Sequence, residues 1–172
     1  MWPEYGKSAK TSSQGWLVML AAVAACAFVL VVALASVIEA AGLPGAWLVD
    51  LAGHQLCHQL PERSLVVGPG PMAVCARCFA LYLGGALALV AAVFGRRRKI
   101  FDAPSRWWLL LVAPSALDAV VHLLLGMGVS NGPRVGISIP AGFVLGLFLA
   151  EGINALSRVS EGAGCVALEE KQ

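Results

Sequence analysis

The feature that most constrains the fold of this chain is a run of 23 residues that contains no charged side chain. From Trp16 to Ile38 every residue is apolar except Ser36. A helix of this length crosses the hydrocarbon core of a bilayer, and the run is too long for the apolar segment of a signal peptide. The stretch ALAS at residues 33–36 resembles a signal-peptide cleavage site only weakly. The run therefore predicts a retained transmembrane helix.

Three further apolar stretches have a similar length, and the composition agrees with them. Of the 172 residues, 59% are hydrophobic and only 13% are charged, and the mean hydropathy is +0.80. A soluble domain of this size carries far more charge. The sequence predicts an all-α integral membrane protein with four transmembrane helices, at residues 16–38, 75–94, 107–125 and 136–153.

The segment between the first two spans, residues 39–74, mixes polar and apolar residues. LPGAWLVDLAGHQLCHQL (43–60) predicts a short interfacial or re-entrant helix before the second span. PERSLVVGPGPM (61–72) is interpreted as turn and loop, because its three prolines and two glycines interrupt any helix. We expect a single membrane domain over residues 16–154, flanked by polar tails at 1–15 and 155–172.

The placement of lysine and arginine predicts the orientation of the four spans. The two tails and the loop 95–106 would share one side, and together they carry nine basic residues. The other side would carry Arg63 and Arg134, with Arg77 just inside the second span. The more basic side faces the cytoplasm as a rule. We therefore expect a multi-pass protein of the cell membrane with both termini cytoplasmic and the loop 39–74 outside.

The expected partner of the basic run RRRK (96–99) is the lipid bilayer. The run sets topology and contacts anionic lipid, and nucleic-acid binding is not predicted because the run is short and has no fold around it. Small residues in the second and fourth spans predict close helix contact. They are Gly84, Gly85, Gly142 and Gly146. A homo-oligomer and assembly with another membrane subunit both stay open.

Two chelating pairs of residues stand out in this apolar chain. His54 and Cys57 are three residues apart, as are Cys75 and Cys78, and seventeen residues separate the two pairs. Two such pairs joined by a loop of this length are typical of a tetrahedral zinc site, because an i,i+3 pair presents two ligand atoms on one side of a helical turn. The sequence predicts zinc or another transition metal bound by His54, Cys57, Cys75 and Cys78.

Two other interpretations of this cluster stay open, and no catalytic residue is assigned. Cys75 would lie at a helix N-terminus near Arg77, which favours a thiolate, so a membrane thiol-disulfide oxidoreductase with a quinone acceptor is one alternative. Against it stand the odd number of cysteines and the two histidines. The other alternative is a structural membrane subunit in which these groups only stabilise the outer loop. Whether the protein is an enzyme stays undecided.

Ionisable residues inside the predicted spans form a second set of candidates. Asp118 and His122 share one face of the third span, and an ionisable group in hydrocarbon is costly enough to suggest a function. The pair could orient a metal ligand, relay a proton or hold a substrate, or it could simply make a helix-packing hydrogen bond. The groups expected to orient the ligands or to contact a substrate are His58, Arg63, Arg77, Asp118, His122, Asn131 and Arg134.

The paired motifs resemble those of a family of small prokaryotic membrane proteins that is known only as a domain of unknown function. The resemblance lies in H-x-x-C-H-Q-x-P-x-R-S, which begins at His54, and in P-M-x-V-C-A-R-C-x-x-x-Y-x-G, which begins at Pro71. It extends more loosely to Pro114, Asp118, Asn131 and Arg134 and covers roughly residues 50–150. The chain departs from the pattern at Leu65, Phe79 and His122. The resemblance implies a multi-span protein with a Cys/His cluster and implies no activity.

Overall fold

The computed structural model describes residues 12–43, 46–57, 59, 61–94, 105–126 and 128–169. The chain forms six helices, one short 3₁₀ turn at Pro61–Arg63 and one two-stranded antiparallel sheet among these residues. The helices are α1 (Ser12–Ala33), α2 (Ala35–Ala40), α3 (Ala46–Leu56), α4 (Ala76–Val93), α5 (Ser105–Leu125) and α6 (Asn131–Glu169). The strands are β1 (Ser64–Val67) and β2 (Gly70–Cys75).

Four of the helices are long and apolar enough to cross a membrane, which confirms the predicted class and number of spans. The apolar parts are Gly15–Ala33, Ala76–Val93, Trp108–Leu125 and Asn131–Ser157. Large apolar side chains on these helices are exposed, among them Leu109, Leu123 and Leu145. A surface of this kind is stable against lipid tails and not against water. The predicted short helix before the second span is also present, as α3.

Helices α4 and α6 form the centre of the bundle because small residues let their backbones approach. A Cβ atom added at Gly84 would lie 2.7 Å from the backbone nitrogen of Phe143, and one added at Gly142 would lie 2.7 Å from Cα of Leu81. Neither position has room for a larger residue. This contact confirms the predicted role of the small residues, since close backbone approach is how such helices gain dispersion energy in lipid.

Helices α1 and α5 pack on the two sides of this central pair. Helix α1 contributes Val18 and Ala22 to an apolar cluster with Leu89 and Ala150. Helix α5 contacts α6 through a buried hydrogen bond of 3.1 Å between the hydroxyl groups of Ser115 and Ser138. In hydrocarbon such a bond removes the cost of two unpaired hydroxyls.

The prediction of turn and loop for residues 61–72 is wrong, because the segment forms a β-hairpin. Strand β1 pairs with β2 in the register Val67 with Gly70, Val66 with Pro71 and Ser64 with Cys75, with an irregularity between Ser64 and Val66. The prolines do not break the pairing. Pro69 is in the turn between the strands. Pro71 lies in β2, and in a two-stranded sheet one edge of each strand makes no ladder hydrogen bonds, so a proline is tolerated there.

The first predicted span is also interrupted, contrary to its uniform apolar sequence. Helix α1 ends at Ala33, and α2 begins after Leu34, whose dihedral angles are φ −97° and ψ 5°. In α2 the Ser36 hydroxyl donates a hydrogen bond to the carbonyl oxygen of Val67 in β1. Ser36 is the one polar residue of the run, and this partner satisfies its buried hydroxyl.

The fourth spanning helix, α6, is longer than predicted at both ends. It begins at Asn131, five residues before the predicted start at residue 136. Pro133 does not prevent this, because a proline in the first helical turn costs no hydrogen bond. The helix continues to Glu169, through most of the segment expected to be a polar tail.

Candidate functional site

Three of the predicted ligand residues come together at one end of the bundle. Cys57 directly follows α3, Cys75 ends β2, and Cys78 lies in the first turn of α4. Their sulfur atoms lie within 4.8 Å of one another, and all three cysteines are free thiols. This separation suits three thiolates around one metal ion, because metal–sulfur bonds of about 2.3 Å place ligand sulfurs roughly 4 Å apart.

The hairpin is the element that brings the three sulfurs together. Strand β2 runs directly into α4, so Cys75 is both the last strand residue and the residue before the helix. Its backbone N–H donates a hydrogen bond of 3.3 Å to the sulfur of Cys57. The Gln59 side-chain amide donates a bond of 2.8 Å to the carbonyl oxygen of Ala73, which holds the segment after Cys57 against the same strand.

The electrostatic surroundings of Cys75 favour the thiolate. Hydrogen bonding from the Cys78 side chain lowers the pKa of the Cys75 thiol to about 5, although partial burial opposes the shift. Backbone N–H groups at the start of α4 and the Cys57 thiol lower it further. These contacts favour the thiolate of Cys75, which is the form that binds metals and attacks disulfides.

Apolar side chains enclose the thiols on the other sides. Cys57 is buried with Met72, Val74 and Val32. Tyr82, one helical turn after Cys78, packs against this cluster, and its ring meets that of Phe28 edge-on at 5.2 Å between centroids. Sequence reasoning gave Tyr82 no role in the site. The i,i+4 spacing from Cys78 was the available signal, because residues four apart share a helix face.

The two histidines predicted near the thiols have different outcomes. His54 is exposed and is not among the residues whose ligand atoms converge with the three sulfurs. It lines an open pocket of about 540 Å³ between α2, α3 and β2, together with Glu39 and Gln59. His58 lies outside the described residues.

The other candidates form a charged cluster at the same end of the bundle. Asp118 pairs with Arg77, and its Oδ2 atom also lies 3.3 Å from Nε of Arg134. Asn131 accepts a bond of 3.3 Å from Arg134 and donates to the carbonyl oxygens of Glu62 and Ser64, each at 3.2 Å. The cluster therefore joins three transmembrane helices to the hairpin.

The remaining two candidates lie beside this cluster. His122 is half-buried, and a Cβ atom added at Gly128 would lie 3.4 Å from its Nδ1 atom and 3.3 Å from Oδ1 of Asp118. Arg63 is half-buried at the end of the turn that precedes β1, and it has no side-chain partner among the described residues.

Replacing Gly53 by alanine should disturb the thiol cluster. The new Cβ would overlap the amide nitrogen of Gln59 and lie 2.5 Å from the carbonyl oxygen of Ala73, so α3 must move away from β2 and take Cys57 with it. Overpacking of this kind costs about 1–3 kcal/mol. We expect a lower melting temperature and faster labelling of Cys57 by a thiol reagent. Ala52→Ser changes the exposed neighbour in the same turn, and an equal effect there would contradict this explanation.

The four apolar helices and the cluster at their end define an integral membrane protein. The family profile described as "Predicted membrane protein (DUF2085)" matches residues 57–148, more than half of the chain. The chain belongs to this family, which confirms the resemblance to membrane proteins of unknown function. The detailed Cys/His motif stays a prediction.

One curated relative carries no functional description. The chain is 36% identical over 70 residues to the uncharacterized protein MJ1492 of Methanocaldococcus jannaschii, a match that covers 40% of this chain and 45% of the relative. The chain thus matches less than half of the length of that protein. No solved structure matches the chain.

Proposed function

We propose that Cys57, Cys75 and Cys78 bind a transition-metal ion and that the ion is zinc. The observation that carries the proposal is the convergence of the three sulfur atoms within 4.8 Å. Thiolate ligands select zinc, copper(I) and iron–sulfur centres over hard cations such as magnesium and calcium. Zinc suits a site that mixes cysteine with a nitrogen or oxygen ligand.

Three protein thiolates leave one position of a tetrahedral zinc ion for another ligand. His54 stays the ligand predicted from the spacing, and the last turn of α3 would have to reorganise for its ring to reach the thiols. His58 is the other candidate on the same segment. If a water molecule takes the position, the pKa of that water would be lowered, and it could act as the nucleophile of a hydrolysis. If a histidine takes it, the site is closed and stabilises the junction of hairpin and helix.

A second candidate function is thiol-disulfide exchange, and the low pKa of the Cys75 thiol favours it. In that reaction Cys75 and Cys78 would form a disulfide, and two electrons and two protons would pass to a membrane quinone, which becomes a quinol. The presence of a third converging thiol, Cys57, favours the metal instead, because a two-electron dithiol couple uses two sulfurs.

One preparation separates the two functions. The chain is purified in detergent without reductant, bound metals are measured, and free thiols are counted before and after addition of a chelator. The metal proposal expects about one zinc per chain and three thiols that become reactive only after chelation. A metal-free protein with a reducible Cys75–Cys78 disulfide would exclude the metal and support exchange.

We further propose that the protein lies in the cell membrane with both termini in the cytoplasm and the thiol cluster on the outer side. The support is the charge asymmetry, since RRRK and five other basic residues fall on the side opposite the hairpin. Reporters that are active only outside the cell, fused to either terminus, should give no signal. A signal from either terminus would reverse the orientation and place the thiols in the reducing cytoplasm.

A further inference from the structure

The charged cluster next to the thiols contains more positive than negative charge. Two guanidinium groups, Arg77 and Arg134, face the single carboxylate of Asp118. The nearest other acidic residue in the contacts, Glu62, takes part only through its backbone carbonyl, and its side chain is exposed. Within the described part of the chain the cluster therefore carries a net charge of +1.

This charge is largely removed from water. The side chains of Asp118 and Arg134 are 3% and 8% exposed, and that of Arg77 is 22% exposed. A buried charge without a partner is strongly destabilising, and more so at the end of membrane-spanning helices. The carboxylate already accepts from both arginines and, through Oδ1, from the backbone N–H of Val129 at 3.2 Å. It has little capacity left to neutralise the second arginine.

One donor of the cluster is buried without an acceptor. The Nε atom of Arg77 is inaccessible to solvent and has no hydrogen-bond partner among the described residues. Leaving such a donor unpaired in the protein interior is destabilising, so this position favours an acceptor that the described residues do not supply. Together with the excess charge, it indicates an acceptor that is negatively charged.

We infer that Arg77 and Arg134 bind an anion that carries a phosphate group. Guanidinium groups bind phosphate oxygens in pairs of parallel hydrogen bonds, which suits the unused donors of both side chains. Helix α6 begins at Asn131 beside the cluster, and its first backbone N–H groups add positive potential. Arg77 and Asn131 stand at the first turns of two helices that are long and apolar enough to span a membrane, and the ends of such helices approach lipid headgroups. A lipid headgroup and a free phosphate present the same chemistry here.

Thermal unfolding of the purified chain in an uncharged detergent tests the site. Inorganic phosphate is titrated at constant ionic strength with chloride as the balance, and a short-chain phosphatidylglycerol is titrated separately. The diacylglycerol with the same chains lacks the phosphate and is the control. A ligand that binds only the folded state raises the melting temperature with saturation. Saturable stabilisation by phosphatidylglycerol alone identifies a headgroup site, and stabilisation by inorganic phosphate identifies a site open to the free ion.

Variants of the cluster tie the effect to these arginines. Arg134→Gln and Arg77→Gln should raise the half-saturating concentration of the effective probe about tenfold or more, the cost of one charge-assisted hydrogen bond. Arg63→Gln removes the same charge from a neighbouring arginine outside the cluster. It should change the half-saturating concentration less than about twofold. Asp118→Asn should lower the half-saturating concentration, because the competing carboxylate is neutral.

Two results would overturn the inference. One is the absence of saturable stabilisation by both probes. The other is an equal shift for Arg134→Gln and Arg63→Gln. If the glutamine variants do not fold, Asp118→Asn and Arg134→Lys are measured instead. An unchanged half-saturating concentration of the probe in both variants would mean that the cluster is only a structural ion pair. Zinc content is measured in parallel and is expected to stay constant, so failure of this inference leaves the metal proposal standing.

Discussion

Replacing Cys78 by serine should remove zinc from the purified protein while the four-helix bundle stays folded. Serine keeps the size of the side chain but lacks the thiolate that binds the ion. Loss of a group that only orients a ligand costs about 10–100-fold in metal affinity, so loss of a ligand should cost at least about 100-fold. Cys57→Ser and Cys75→Ser should behave in the same way, since the three sulfurs converge. Metal analysis after dialysis against a weak chelator measures the loss.

The matched control for these substitutions is Cys26→Ser. Cys26 is an exposed cysteine on α1, outside the cluster, so the same chemical change there should leave the zinc content intact. His54→Ala is informative in either direction about the fourth ligand. Retained zinc agrees with the exposed position of His54, and lost zinc shows that α3 reorganises around the ion. If all three serine variants keep zinc, the metal proposal is wrong.

Replacing Gly142 by leucine should strongly destabilise the bundle. The new side chain would start 2.7 Å from Cα of Leu81, so α4 and α6 must separate along their whole contact. Overpacking costs 1–3 kcal/mol in cores that relax, and we expect about 3 kcal/mol or more here because the atoms in the way are backbone. Unfolding of the purified protein in denaturant measures the loss.

Gly136→Leu supplies the comparison on the same helix. A Cβ added at Gly136 meets no atom within 4 Å, so the added side chain faces open space on α6. Both changes replace a flexible helical glycine with a strong helix former, which by itself stabilises the helix by up to about 1 kcal/mol. Gly136→Leu should therefore leave stability equal or slightly higher. Equal destabilisation by both variants would mean that the packing of α4 on α6 is not as close as described.

The four spans could be predicted from the sequence because a bilayer imposes one requirement that the chain must meet by itself. About 20 consecutive apolar residues are needed to cross it as a helix, and no tertiary contact can replace them. The grouping of Cys57 with Cys75 and Cys78 could be predicted from their spacing for a similar reason. Only a few residue types, at a few characteristic separations in the sequence, can bind a small metal ion. The number of spans, the short helix α3 and the thiol cluster thus agree with the sequence.

The hairpin and the interruption of the first span could not be predicted, because both depend on a contact distant in sequence. Ser36 and Val67 are 31 residues apart, and their hydrogen bond joins α2 to β1. The same holds for His54, which local spacing placed beside Cys57. Helix α3 ends at Leu56, and in the structure His54 is exposed whereas Cys57 is buried. An i,i+3 relation holds only while the helix continues.

Helix α6 is far longer than the membrane is thick. Its 39 residues extend about 58 Å at 1.5 Å per residue, whereas the hydrocarbon core is about 30 Å across. Asn131 lies against the hairpin, so the surplus length emerges on the opposite side. The protein therefore presents two unlike faces, a thiol-bearing cap close to one membrane surface and a single helical rod that holds the end of the chain away from the other.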